Sequence, residues 1–94
     1  MQIAKVIGNI WATRKESTLT GMKLLIVQPI NILDNDMPCS VPIVAADMIG
    51  AGMGETVIIV TGSTARVATG SAEASVDATV VGIVDDKEID SSLV

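Results

Sequence analysis

Residues 50–60, Gly50-Ala51-Gly52-Met53-Gly54-Glu55-Thr56-Val57-Ile58-Ile59-Val60, decide how the chain is read. Three glycines at alternate positions resemble a loop that cradles a phosphate. Such a loop needs a strand leading in and a helix leading out, so that the helix N-terminal N–H groups point at the anion. Here the exit is a β-branched run, Thr56-Val57-Ile58-Ile59-Val60, which reads as a strand. No Lys-Ser or Lys-Thr pair follows, and Glu55 puts negative charge where a phosphate would sit. The segment is therefore a turn between strands, its glycines supplying positive φ or close backbone approach.

Composition bounds the rest. With 94 residues the chain is one domain, 1–94. Its hydrophobic fraction is 49%, yet Trp11 is the sole aromatic residue, so the apolar mass is Val, Ile, Leu, Ala and Met. A monomer of this size buries roughly 60–65% of the surface that its unfolded chain exposes. So much apolar material in so small a domain points to self-association. The net charge of −5 argues against a nucleic-acid partner, which requires a basic face, and the missing aromatics remove a base-stacking platform. No apolar run approaches the ~20 residues of a membrane-spanning helix. Lys5 and Asn9 interrupt the N-terminal segment, so no signal peptide is expected. One cysteine, Cys39, makes no intramolecular disulfide and fits a reducing cytosol.

The inventory also removes most catalysis. Without histidine, Ser-His-Asp and Cys-His pairs are unavailable and the usual imidazole metal site is missing. Zinc would have to be held by Cys39 and carboxylates alone, so no metal is expected, and no cofactor motif is present. Asp47 and Glu55 flank the glycine turn and form the one conceivable acid–base pair. The simpler reading gives Asp47 a turn-capping role and makes Glu55 the opening of a strand, and no enzyme activity is expected.

Along the chain, residues 3–13 form a first expected strand with Gly8 at a bend, and residues 14–21 a polar connection. Residues 22–27 form a second strand whose run Leu24-Leu25-Ile26-Val27 is too continuous for one solvated face, so both faces should be covered. Residues 29–42, with three prolines, read as a surface loop. Strands are expected at 43–48, 56–61 and 76–84, the last interrupted by Gly82. Residues 63–68 suit one helical turn with Ser63 as N-cap, and residues 69–75 a small polar loop. Five short strands, bend glycines and no substantial helix give an all-β fold, a small closed barrel that hides its edges. Residues 85–90 carry four of the eleven acidic residues. They read as a solvated end, or as an extension packing on a neighbouring subunit through Ile89 or Leu93.

Several stretches together carry a resemblance. Ala4-Lys5-Val6-Ile7-Gly8, Ala12-Thr13-Arg14-Lys15 and Leu19-Thr20-Gly21-Met22-Lys23-Leu24-Leu25-Ile26-Val27-Gln28 resemble the N-terminal half of the bacterial microcompartment vertex proteins. That family, EutN/CcmL, includes the carboxysome and ethanolamine-utilisation pentameric shell proteins. Ala46-Asp47, Gly50-Ala51-Gly52-Met53-Gly54-Glu55, Gly62-Ser63-Thr64-Ala65-Arg66 and Val76-Asp77 leading to Val81-Gly82-Ile83-Val84-Asp85 follow in the family's order. The resemblance implies an OB-like five-stranded barrel assembled as a cyclic pentamer. It implies a structural role at the corners of a cytoplasmic polyhedral shell, beside hexameric shell proteins, with no cofactor and no catalytic residue. It makes Gly50, Gly52, Gly54 and Glu55 a signature turn used in assembly, and Arg66, Trp11 and Ile89 candidate subunit contacts. Trp11 stands where small or aliphatic residues are common in such sequences, and Cys39 falls in a variable loop. An OB-like binding module for an oligonucleotide or another ligand is the alternative from a different class. The cargo of such a shell and any axial pore are not legible.

Overall fold

A computed structural model of the chain describes residues 1–71 and 73–94. It contains β1 (Gln2–Ile10), β2 (Lys23–Asn31), a two-residue β3 (Met37–Pro38), β4 (Ile43–Asp47), β5 (Thr56–Thr61), a short helix α1 (Ser63–Ala68) and β6 (Ala78–Ile83). The sheet runs β1-β5-β6-β4-β2-β3, and β1 also pairs with β2, which closes the five long strands into a barrel. All pairings are antiparallel except β4 with β6. Taken around the barrel, the long strands run first, second, third, fifth, fourth, with the third and fifth parallel, which suits the OB-like barrel that the resemblance implied.

Closure requires sharp local bends. Val6 pairs with Val27 and Gly8 with Ile26, so Ile7 is an extra residue and β1 bulges there, as the glycine suggested. A Cβ at Gly8 would stand 3.1 Å from Ile26 Cδ1, which is why a side chain fits poorly at the bend. A second irregularity puts Ile58 opposite Gly82 and Ile59 opposite Val80, leaving Val81 extra in β6. The lumen is filled by Ala4, Val6, Leu25, Val27, Ala45, Val57, Ile59 and Val80, each at most 1% exposed. Each large aliphatic among them contributes about 1.5–3 kcal/mol by leaving water. No aromatic ring enters this narrow interior, and Trp11 is 86% exposed just beyond β1. The expected two-sided burial of the β2 run takes a graded form. Leu25 and Val27 are buried inward, while Leu24 and Ile26 are half-buried on the outside.

Four expected strands have their boundaries corrected. β1 stops at Ile10 rather than residue 13, because its last partner is Leu24 near the start of β2 and none of the described residues pairs with residues 11–13. The connection instead closes through a 3-10 turn, Ser17–Leu19. There Glu16 accepts from the Thr18 hydroxyl and, at 2.9 Å, from the Thr18 N–H. Those bonds, the hydroxyl first, hold the Glu16 carboxyl below its ordinary value. β2 runs on to Asn31 through Pro29, inside the segment expected to be loop. The proline is tolerated because the β2–β4 ladder ends at Val27 opposite Ile43, so no donor is needed there, while the Pro29 carbonyl still accepts from Cys39 N at 3.1 Å. β4 ends at Asp47 and β6 spans 78–83, each shorter than expected. The expected loop 69–75 includes residue 72, which lies outside the described residues.

The helical turn lies where expected, but Ser63 is its first helical residue and Gly62 is the N-cap, with no side-chain cap bond. Gly62 has φ 67° and ψ −145°, a conformation essentially reserved for glycine, and it reverses the chain from β5 into α1. The helix is fastened to the barrel by the buried Thr79 hydroxyl, which donates to the Ala65 carbonyl at 2.8 Å. Gly62→Ala should therefore lower stability by about 1–3 kcal/mol, read as a lower urea midpoint with an unchanged slope. An unchanged midpoint would show that the turn does not need this conformation.

Candidate functional site

The glycine turn joins the end of β4 to the start of β5 and is organised around one carboxylate. Asp47 is 8% exposed; its Oδ1 accepts from Ile49 N and Gly50 N, both at 3.0 Å, and its Oδ2 from Ala51 N at 2.9 Å. A carboxylate receiving three backbone N–H bonds locks the first half of the turn. Lys23, at the start of β2, completes the arrangement from another strand. Its Nζ donates to the Ala51 carbonyl at 2.9 Å and lies 3.6 Å from Asp47 Oδ2. Ala51 is fully buried, so the turn is pinned to the core at its middle.

The second half is held by Glu55, whose Oε1 accepts from Gly52 N at 2.6 Å. Gly54 N donates to the Val6 carbonyl and Val6 N to the Glu55 carbonyl, both at 2.9 Å, so the turn continues the β5 edge along β1. The three glycines serve different needs. Gly50 and Gly54 have φ of 92° and 82°, where glycine is favoured, and a Cβ on either would meet nothing within 4 Å in the subunit. Gly52 has an ordinary φ, but a Cβ there would stand 3.2 Å from Glu55 Oε1. Close approach within the subunit thus applies to Gly52, and backbone conformation to the other two.

The Asp47 carboxylate caps the turn as the sequence suggested, whereas Glu55, expected to open the strand, lies one residue before β5 and accepts from Gly52 N within the turn. Among the described residues, no group of three or more His, Cys, Asp or Glu side chains is placed to hold a metal ion. The remaining candidates are not gathered at the turn. Arg66 lies half-buried on α1, which packs on β5 and β6; among the described residues it belongs to neither ion pair. Trp11 stands in the β1–β2 connection and Ile89 in the C-terminal tail. Lys23 and Ala51 were missed from the sequence. No local signal marks Lys23, whose partners are 24 and 28 residues away in the chain. Around the turn, Met48, Ile49 and Met53 are 45%, 49% and 59% exposed, an apolar fringe on a rigid frame. Asp47→Ala should cost at least the ~1.5–3 kcal/mol of one charge-assisted bond, measured by chemical denaturation, and Lys23→Met less, because Lys23 is half exposed. Equal losses for the two would contradict the central role given to Asp47.

Known proteins share this sequence pattern and fold. A family model described as ethanolamine utilisation protein EutN/carboxysome matches residues 1–85. The carboxysome shell vertex protein CcmL of Synechocystis sp. is 44% identical over 85 residues, covering 90% of this chain and 83% of that protein. The microcompartment shell vertex protein GrpN of Rhodospirillum rubrum is 43% identical over 88 residues, covering 94% of this chain and 97% of its own. The solved structure of GrpN, described as a pentameric microcompartment shell protein, matches with TM-score 0.83 at 40% identity, over 95% of this chain and 99% of that one. A solved structure of the ethanolamine utilization protein EutN matches with TM-score 0.88 at 42% identity, over 95% of this chain and 91% of that chain. With sequence and barrel agreeing over nearly its whole length, the chain belongs to the EutN/CcmL family.

Proposed function

We propose that this chain is a structural shell protein that forms homopentamers and caps the vertices of a polyhedral bacterial microcompartment in the cytoplasm. It does so without catalysis and in contact with hexameric shell proteins. The observation that carries the reading is the apolar fringe of Met48, Ile49 and Met53 around a turn whose backbone is fixed by Asp47, Lys23 and Glu55. Large apolar side chains on a rigid frame are suited to a packed subunit boundary. Repeated with five-fold rotation, one heterologous boundary closes a ring, and a five-fold unit supplies the curvature that a flat hexagonal layer lacks.

Within that ring, Gly50, Gly52, Gly54 and Glu55 shape the turn that meets the neighbour. Arg66 supplies an ion pair or a carbonyl contact across the boundary, and Trp11 and Ile89 contribute apolar contacts.

Co-expression with hexameric shell proteins tests the function. Electron microscopy should show closed polyhedra that contain this chain, and open sheets or tubes when it is omitted. Closed shells of the same form with and without the chain would overturn the reading. Gly52→Val, by displacing the Glu55 carboxylate, should abolish closure; a Gly52→Val protein that closes shells as well as wild type would remove the turn from assembly.

A further inference from the structure

We propose that the recess at the end of the β1–β2 hairpin receives the acidic tail of a neighbouring copy of this chain. Ile89 of that copy lies against Trp11, and its Glu88 carboxylate pairs with Lys15. The inference rests on the ring proposed above.

The recess holds about 400 Å³ and is lined by Asn9, Ile10, Trp11, Lys15, Lys23 and Leu24 among others. Trp11 is 86% exposed, although it carries the largest apolar side chain of the protein. Covered indole rings are characteristic anchors of protein interfaces, and an uncovered one beside a recess marks a place where a partner gains by docking. Lys15 and Lys23 are two of only six basic residues in a chain of net charge −5. Lys23 is committed to Asp47 and the Ala51 carbonyl but keeps half its side chain exposed, so it adds positive field, while among the described residues the exposed Lys15 belongs to neither ion pair. The fitting occupant is an acidic segment with an aliphatic side chain inside it.

The chain carries such a segment. Residues 85–90 hold Asp85, Asp86, Glu88 and Asp90 around Ile89. Asp90 is turned inward on its own chain, accepting from the Ser92 hydroxyl at 2.6 Å, which with the Ser92 N–H holds its carboxyl below the ordinary value. Glu88 is fully available among the described residues. The tail is tied back to its own subunit by an exposed ion pair, Lys87 to Asp36 at 3.1 Å, and Ile89, 38% exposed, lines a shallow recess with Ile32 and Leu33 of its own chain, a seat it would leave to reach a neighbour. Exposed pairs of this kind hold weakly and are easily exchanged for other contacts. The last bond to the barrel is Val84 N to the Thr56 carbonyl at 2.8 Å. Five further residues carry Ile89 up to about 17 Å from that point, enough to reach across a subunit boundary. Charge of opposite sign on the two surfaces sets the register.

The test uses the full chain with Cys39→Ser, Trp11→Cys and Ile89→Cys, purified as the native assembly and treated with a short bismaleimide. A ladder of covalent species ending at five subunits is expected. Adding Lys15→Glu should cut the cross-linking yield severalfold, and adding Glu88→Lys with it should restore the yield. An intact five-subunit assembly whose chains run as monomers on a denaturing gel would overturn the tail contact while leaving the ring reading in place. Cross-linking unaffected by Lys15→Glu would overturn the assigned pairing, and a wild-type protein with no assembly at all would overturn both.

Discussion

Everything in this subunit depends on β1 being paired along both edges, with β2 on one side and β5 on the other. That double pairing closes the barrel, removes the long free edges that would invite uncontrolled strand addition, and fixes a narrow interior. An interior of that width accepts Ala, Val, Leu and Ile and excludes the single indole ring. Many of the remaining large aliphatics and methionines then lie outside, among them Met48, Ile49 and Met53 at the turn, Leu33, Met37 and Val41 between β2 and β4, Val67 on α1 and Leu93 in the tail. The exposed apolar surface is thus a consequence of closure in a chain whose hydrophobic fraction is 49%.

The same closure explains why the glycine turn is rigid. Its outer half is bonded to Val6 of β1, so the turn is part of the barrel wall rather than a free loop. Asp47 draws three N–H groups into one carboxylate, and Lys23 ties the turn to the opposite strand. A flexible apolar loop would lose entropy when ordered against a neighbour. A turn already fixed by charge-assisted bonds carries less of that cost, and under the proposed function this links the buried carboxylate to assembly.

What could be read from residues alone followed from local chemistry. The β-branched run after Glu55 announced β5, and Gly8 announced the bulge that the paired register confirms. The failures were of two kinds. Pro29 looked like the start of a loop, because composition cannot reveal that the β2–β4 ladder has already ended at Val27. Ser63 looked like a helix cap, because the local pattern ranks serine above glycine there and cannot foresee that the chain must reverse through a glycine-only conformation at Gly62. At the turn, the need for glycine at residues 50, 52 and 54 was legible, but its division between positive φ and contact with Glu55 was not. Lys23 was invisible for a similar reason: its role exists only once β2 lies beside β4. The family resemblance covered the residues that shape the barrel, so the fold was legible almost entirely, whereas the bonds inside the turn had to come from three dimensions.

The central claim is that a closed barrel with this much apolar exterior exists as a ring. It is tested most directly by the native mass of the purified protein, from native mass spectrometry or from light scattering after size exclusion. The account predicts a single discrete five-subunit species that persists on dilution. A stable monomer at micromolar concentration would contradict it, because the apolar fringe of the turn would then be tolerated in water without a partner.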